Sequence, residues 1–363
     1  MRTLRLTWLA AILLLLLPAC RRHPSGPGGG GNSGAQFQPT EPRLLSTGSP
    51  TKDEDPSVVR ARDGRMVVAW FSDRGGNADI YVASTRDGTT WSAPARVTTS
   101  PDGDFNPSLI QDDQGTFHLV WFRWNALFRG NIWYNSSPDG VTWSPAAEVP
   151  VTTGADVDDW VPTLAQAPDG TLVVVFVSDK RDANPANELY LSTRRPGQAA
   201  WDPPVALVAV NSAAEHDHLP FAARTGDHVT LVWVRHDTRQ ILPWLNPKSD
   251  LFYSTSSDGR AWSPAARLTS ESGDVVNLFP ALFESHAGEW SFLWLSTRHG
   301  TPRAFEDPVA NAAKYPSGVT ESTLPPSGYS YKVAATPTAG VYLGVWVQGP
   351  EGSQDIYYRF YRR

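Results

Sequence analysis

Met66-Val67-Val68-Ala69-Trp70 decides the fold, because the same short apolar run ending in an aromatic residue returns five times. The copies are Phe117-His118-Leu119-Val120-Trp121, Leu172-Val173-Val174-Val175-Phe176, Val229-Thr230-Leu231-Val232-Trp233, Trp290-Ser291-Phe292-Leu293-Trp294 and Tyr342-Leu343-Gly344-Val345-Trp346. Successive copies lie about 50 to 60 residues apart, the length of one four-stranded blade, so the repeat predicts an all-β, six-bladed β-propeller of antiparallel blades. A proline opens the first strand of five units, at Pro56, Pro107, Pro162, Pro220 and Pro280. A glycine turn precedes the second strand at Gly64, Gly115, Gly170, Gly226 and Gly288, each a turn signal between strands. The third strand opens on an acidic or amide residue, Asp79, Asn131, Glu188, Asp250 or Asp355. The fifth unit has no clean copy of that strand, and residues 301–326 read as an irregular lid or insertion in place of its outer strands.

The chain ends after the third strand of its sixth unit, whereas Arg43-Leu44-Leu45-Ser46-Thr47 matches the outer strands Arg96-Val97-Thr98-Thr99 and Arg267-Leu268-Thr269. The N-terminal strand is therefore expected to complete the last blade and close the ring, which removes exposed strand edges. Fifteen tryptophans against two methionines suit a fold of short strands and tight turns. A net charge of −6 without a basic stripe argues against a nucleic-acid partner, and the single cysteine allows no internal disulfide.

That cysteine sits where it has another use. Arg2 and Arg5 precede an apolar stretch from Leu6 to Leu17, and Leu17-Pro18-Ala19-Cys20 follows, the pattern of a signal peptide too short to span a bilayer. The end of this segment resembles a bacterial lipobox, which implies export and lipidation of Cys20, with the outer membrane or cell surface as the expected location. Residues 21–42 are rich in Gly, Pro and Ser and read as a flexible tether. Residues 43–363 form the propeller.

Three units carry a further motif after the third strand: Thr85-Arg86-Asp87-Gly88-Thr89-Thr90-Trp91, Ser137-Pro138-Asp139-Gly140-Val141-Thr142-Trp143 and Ser256-Ser257-Asp258-Gly259-Arg260-Ala261-Trp262. A hydroxyl and a carboxylate tie down the turn amides, Gly supplies positive φ, and Trp packs between strands. These segments resemble the Asp boxes, or BNR repeats, of the sialidase superfamily. The resemblance implies that Asp87, Asp139 and Asp258 are structural and lie on the face away from the functional site.

On the opposite face, an acidic residue stands three positions before the strand proline at Asp53, Asp104, Asp159 and Asp217, with Asn277 in the fifth unit. Arginines follow the aromatic markers at Arg74, Arg123, Arg181, Arg235 and Arg298. A ring of interleaved carboxylates and guanidiniums could hold a carboxylate-bearing ligand through paired charge-assisted hydrogen bonds, or its members could pair with one another. The cluster His216, Asp217, His218, His236 and Asp237 matches no dense zinc spacing. No metal or cofactor is expected, and calcium is the one ion that the acidic loops suit.

What the sialidase resemblance adds is chemical. Members hold the sialate carboxylate with three arginines, use an aspartate as acid/base and attack with a tyrosine activated by a glutamate. It implies Tyr329 as nucleophile, within Gly328-Tyr329-Ser330-Tyr331, and Glu215 as its activator. Arg74, Arg235 and Arg298 are implied as the clamp, with Asp53, Asp55 or Asp79 as the acid. The family's first-blade Arg-Ile-Pro is absent, Asp55-Pro56-Ser57 standing in its place. That loss moves the expectation toward recognition of a glycan or other anionic extracellular ligand without turnover, by a monomer touching the membrane through its anchor alone. An exo-acting sialidase and a protein-docking scaffold are the alternatives.

Overall fold

The computed structural model describes residues 37–46, 51–127, 129–143, 149–154, 157–179, 186–212, 214–237, 248–271, 273–310, 319–325, 328–350 and 352–363. Its strands form six four-stranded antiparallel sheets, five of them built in chain order from the inner strand outward. In the sixth, Arg43–Leu44 is the outermost strand and pairs with Tyr358 and Tyr357, so the ring closes on the N-terminal segment. The seam continues beyond that strand: the Thr40 amide donates to the Phe360 carbonyl and Leu45 to Ile356, both at 2.8 Å, and Phe37 packs on Phe360.

The repeated apolar runs are the second strands. In the first and third blades every residue of these strands, Met66–Ser72 and Leu172–Ser178, is buried. A strand covered on both faces by neighbouring blades needs a continuous apolar run rather than alternation. The six aromatic markers, Trp70, Trp121, Phe176, Trp233, Trp294 and Trp346, form the fully buried layer of the core.

One expectation needs correction. The fifth blade does contain its two outer strands, Arg303–Pro308 beside Trp290–Ser296 and Thr320–Glu321 beyond it. Arg303 opens the third strand in place of an acidic residue, which hid the element in the sequence.

The inner strands are Asp53–Arg60, Gly103–Gln111, Asp159–Gln166, Glu215–Thr225, Asn277–Glu284 and Tyr329–Ala335. Each slips register at the same place, between Glu54/Ser57, Phe105/Ser108, Trp160/Thr163, His218/Phe221, Leu278/Ala281 and Tyr329/Lys332. At each slip one non-glycine residue takes positive φ: Asp55, Asn106, Val161, Leu219, Phe279 and Ser330, all between 48° and 54°. Such a conformation costs on the order of 1 kcal/mol per residue, and six copies put six side chains around the axis at one height.

On the other face, Asp87 accepts from the Thr89 and Thr90 amides, Asp139 from Val141 and Thr142, and Asp258 from Arg260 and Ala261, at 2.7–2.9 Å. Gly88, Gly140 and Gly259 carry φ of 70–74° in these turns. Burial pushes the Asp139 carboxyl up, but the Thr142 and Val141 amides outweigh it and hold it at about 2. Cys20 and Arg181 lie outside the described residues.

Candidate functional site

The face opposite the acidic turns gathers the starts of the inner strands and the loops after the second strands. Its carboxylates are already committed. Asp104 accepts from Trp121 Nε1 at 2.9 Å and from Arg123 Nε and Nη2 at 2.6 and 2.9 Å. Asp217 does the same for Trp233 Nε1 and Arg235, at 2.7, 2.7 and 3.0 Å. Asp53 accepts from Trp70 Nε1 and Arg74 Nη2 at 3.2 and 3.1 Å. Burial pushes Asp104 and Asp217 up, and the guanidiniums pull against it. In the fifth blade Asn277 takes the indole bond from Trp294, and Arg298 pairs with Glu271 at 2.5 Å.

Each of these arginines also lies over an aromatic ring of the third strand: Arg74 on Tyr81, Arg123 on Trp133, Arg235 on Phe252 and Arg298 on Phe305, at 4.4–5.0 Å. The repeated Asp and Arg positions are thus a carboxylate–indole–guanidinium–aromatic stack that ties the first three strands of a blade together. Of the two uses left open by the sequence, ligand clamp or mutual pairing, Arg74, Arg123, Arg235 and Arg298 with Asp53, Asp104 and Asp217 stand paired: burial demands partners, and neighbouring side chains supply them internally. Asp159 is fully buried at the same register.

The catalytic assignments also change. Tyr329 donates its phenol hydrogen to Glu54 Oε1 at 2.6 Å, from the sixth blade to the first. Lys52 pairs with the other oxygen of Glu54 at 3.0 Å. Glu215, expected to serve Tyr329, instead accepts from Ser212 within its own loop. Burial, then the Glu54 charge, push the Tyr329 phenol far above its usual range, so it is a neutral donor. Only 3% of Tyr329 is exposed.

Of the three acid candidates, Asp53 holds Trp70 and Arg74, and Asp79 holds Arg96 and Thr98. Asp55 differs: it is 8% exposed, and its buried Oδ2 has no hydrogen-bond partner. Burial first, then the Glu54 charge, push its carboxyl up to about 7 against the pull of Lys52 and Lys332.

Asp55 belongs to the ring of positive-φ residues, which lines a chamber of about 70 Å³ on the axis. That ring is two-sided. Ser330, Asp55 and Asn106, from blades six, one and two, are polar; Val161, Leu219 and Phe279, from blades three to five, are apolar. Nothing in the repeat signals this arc: the proline of five blades follows Asp, Asn, Val, Leu and Phe alike, and in the sixth Tyr331 follows Ser330.

His216, His218 and His236 stack face to face with ring centroids 4.9–5.8 Å apart, and Trp160 of the third blade packs edge-on against His218. Among the described residues no three His, Cys, Asp or Glu side chains converge as a metal would require.

No family model and no curated protein matches this chain. Solved structures do. A Dyadobacter fermentans protein of unknown function superposes with a TM-score of 0.67 at 14% identity, covering 90% of this chain and 99% of its own. The Penicillium chrysogenum α-L-arabinanase complexed with arabinobiose gives 0.66 at 16% identity, covering 85% and 93%. The Hadza microbial sialidase Hz136 gives 0.60 at 14%, covering 85% and 65%. At these identities the likeness establishes a shared sialidase-like propeller fold.

Proposed function

We propose that this protein is a glycan-recognising propeller, exported and lipid-anchored through Cys20, that takes the end of an uncharged glycan on the face opposite its acidic turns. The observation that carries the reading is the two-sided ring. A sugar ring has a hydroxyl-bearing edge and a C–H face, and Ser330, Asp55 and Asn106 opposite Val161, Leu219 and Phe279 offer the matching halves. The engaged guanidiniums speak against a charged sugar, because Arg74, Arg123, Arg235 and Arg298 would have to leave carboxylates and aromatic rings to reach it. The solved relatives, which include an arabinanase complexed with arabinobiose, support a carbohydrate ligand. The lipid anchor rests on the sequence of residues 1–20 alone.

A second reading, glycoside hydrolysis, is favoured by the Tyr329–Glu54 hydrogen bond. In it the Tyr329 oxygen attacks the anomeric carbon as its proton passes to Glu54, and the glycosidic C–O bond breaks as Asp55 protonates the leaving oxygen. Water activated by Asp55 then displaces the sugar from Tyr329, which regains its proton from Glu54.

A glycan array bearing neutral and sialylated chains, probed with the purified protein and with Asn106→Gly, tests the proposal. Glycine keeps the positive φ and removes the amide. Retention on neutral glycans that weakens in Asn106→Gly is expected; retention confined to sialylated chains, or none, overturns it. Release of sugar that stops in Tyr329→Phe would establish hydrolysis as well.

A further inference from the structure

Below the positive-φ ring a second chamber adjoins the first. The upper chamber of about 70 Å³ and a lower one of about 330 Å³, reached from the face of the acidic turns, share Ser57, Ser108, Phe221 and Lys332 as walls. These four residues occupy one register position, the residue after the bulge, in blades one, two, four and six. They form the waist of the channel.

The waist is lined with hydrogen-bond donors. The Ser57 hydroxyl accepts the Leu109 amide, and the Ser108 hydroxyl accepts that of Leu164, both at 3.0 Å. An oxygen that accepts from the neighbouring blade still has its own hydrogen to give, and among the described residues neither hydroxyl gives it to a protein group. Lys332 reaches from the sixth blade so that its ammonium lies 5.3 Å from the centre of the Phe221 ring in the fourth. Among the described residues that ammonium makes no hydrogen bond or ion pair with a protein acceptor, and a half-buried cation inside the axial channel calls for one. The charge facing it from above is Asp55, on which Glu54 and Lys52 act in turn; Arg60, Arg224, Asp113 and Glu284 line the lower chamber. Arg224 and Asp113 are paired with each other at 2.6 Å, and Glu54 with Lys52. Asp55 is the one carboxylate whose charge bears on the ammonium.

We propose that the waist of the axial channel is a binding site for a small monovalent anion of chloride or formate size, held by Lys332 with the hydroxyls of Ser57 and Ser108. The site adjoins the upper chamber and shares its walls, and its test needs no glycan. It links anion binding to protons. Burial holds Lys332 down at about 8 and Asp55 up at about 7, so the ammonium is present, and the repelling carboxylate absent, only at lower pH. Binding therefore weakens as pH rises through 7 and 8.

Chlorine NMR line broadening of the purified protein titrated with sodium chloride tests this. Saturable broadening is expected at pH 6, weaker by about tenfold or more at pH 9, where about a tenth of Lys332 keeps its proton, and absent in Lys332→Met. Lys332→Arg shifts affinity the other way: its guanidinium keeps its proton at pH 9, so chloride binds several-fold tighter than in wild type at that pH. Broadening that persists unchanged in Lys332→Met, or affinity at pH 9 that Lys332→Arg leaves alone or weakens, overturns the proposal. Lys332→Arg keeps it falsifiable should Lys332→Met fail to fold.

Discussion

Two neighbouring registers of the inner strands behave in opposite ways. The first holds Asp53, Asp104, Asp159, Asp217 and Asn277, nearly invariant from blade to blade. The next two positions hold Glu54 and Asp55, Phe105 and Asn106, Trp160 and Val161, His218 and Leu219, Leu278 and Phe279, and Tyr329 and Ser330, which agree on nothing. The repeated position is committed to the frame, tying indole and guanidinium within its own blade. The unrepeated positions carry the chemistry: the Tyr329–Glu54 bond, the Asp55 carboxyl and the two-sided ring. Blades doing one structural job repeat one residue, as Asp recurs in four of them and its amide in a fifth, whereas a ligand lying on the axis meets each blade differently.

The sharpest way to break this distinction is to mutate both registers and compare stability. Asp217→Ala leaves the buried Trp233 indole without its acceptor and the Arg235 guanidinium with the Val210 carbonyl alone, so urea unfolding should show a loss of about 3–5 kcal/mol. Tyr329→Phe removes a single hydrogen bond and leaves Glu54 paired with Lys52, so about 1–2 kcal/mol is expected. Should Tyr329→Phe prove the costlier of the two, the phenol belongs to the frame and the distinction fails.

This contrast also explains what could be read from sequence. The blade count, strand order and closure followed from residues that repeat, such as Trp70 and its copies, because packing between identical neighbours imposes the same choice each time. The site did not follow by the same method. Repetition singled out Arg74, Arg123 and Arg235, which the structure shows stacked and paired, and passed over Glu54, Asp55 and Lys332, which occur once. Tyr329 was reached through a family resemblance, and its partner was misplaced to Glu215 because contact across a ring seam joins residues 275 positions apart. The bulge was hidden for another reason: positive φ is usually marked by glycine, and here six other residues adopt it under tertiary constraint.

The pH dependence of stability separates two aspartates of opposite kind. Asp55 sits at about 7 in the folded protein against 3.8 for the free side chain, so the folded state holds its proton more tightly than the unfolded chain does. Its contribution favours folding at low pH and is lost as pH rises from about 4 to 7, a swing on the order of a few kcal/mol. Measured against Asp55→Asn, wild type should lose stability across that window. A parallel pair of curves would mean that Asp55 is charged throughout and that the axis is wetter than the structure indicates.

Asp139 gives the smallest effect and the opposite sign. Held at about 2 by the Thr142 and Val141 amides against the push of burial, it stabilises the fold above about pH 4, and that stabilisation fades as pH falls toward 2. The carboxylate stands in solvent, so its charge is screened and the hydrogen bonds dominate. Asp139→Ala, which strips both amides of their acceptor, should therefore cost about 1 kcal/mol at neutral pH. Asp139→Asn keeps a carbonyl oxygen where Oδ1 accepts, so only a few tenths of a kcal/mol should be lost, with ligand binding on the far face unchanged. If Asn proves as damaging as Ala, the turn depends on charge rather than on acceptor geometry.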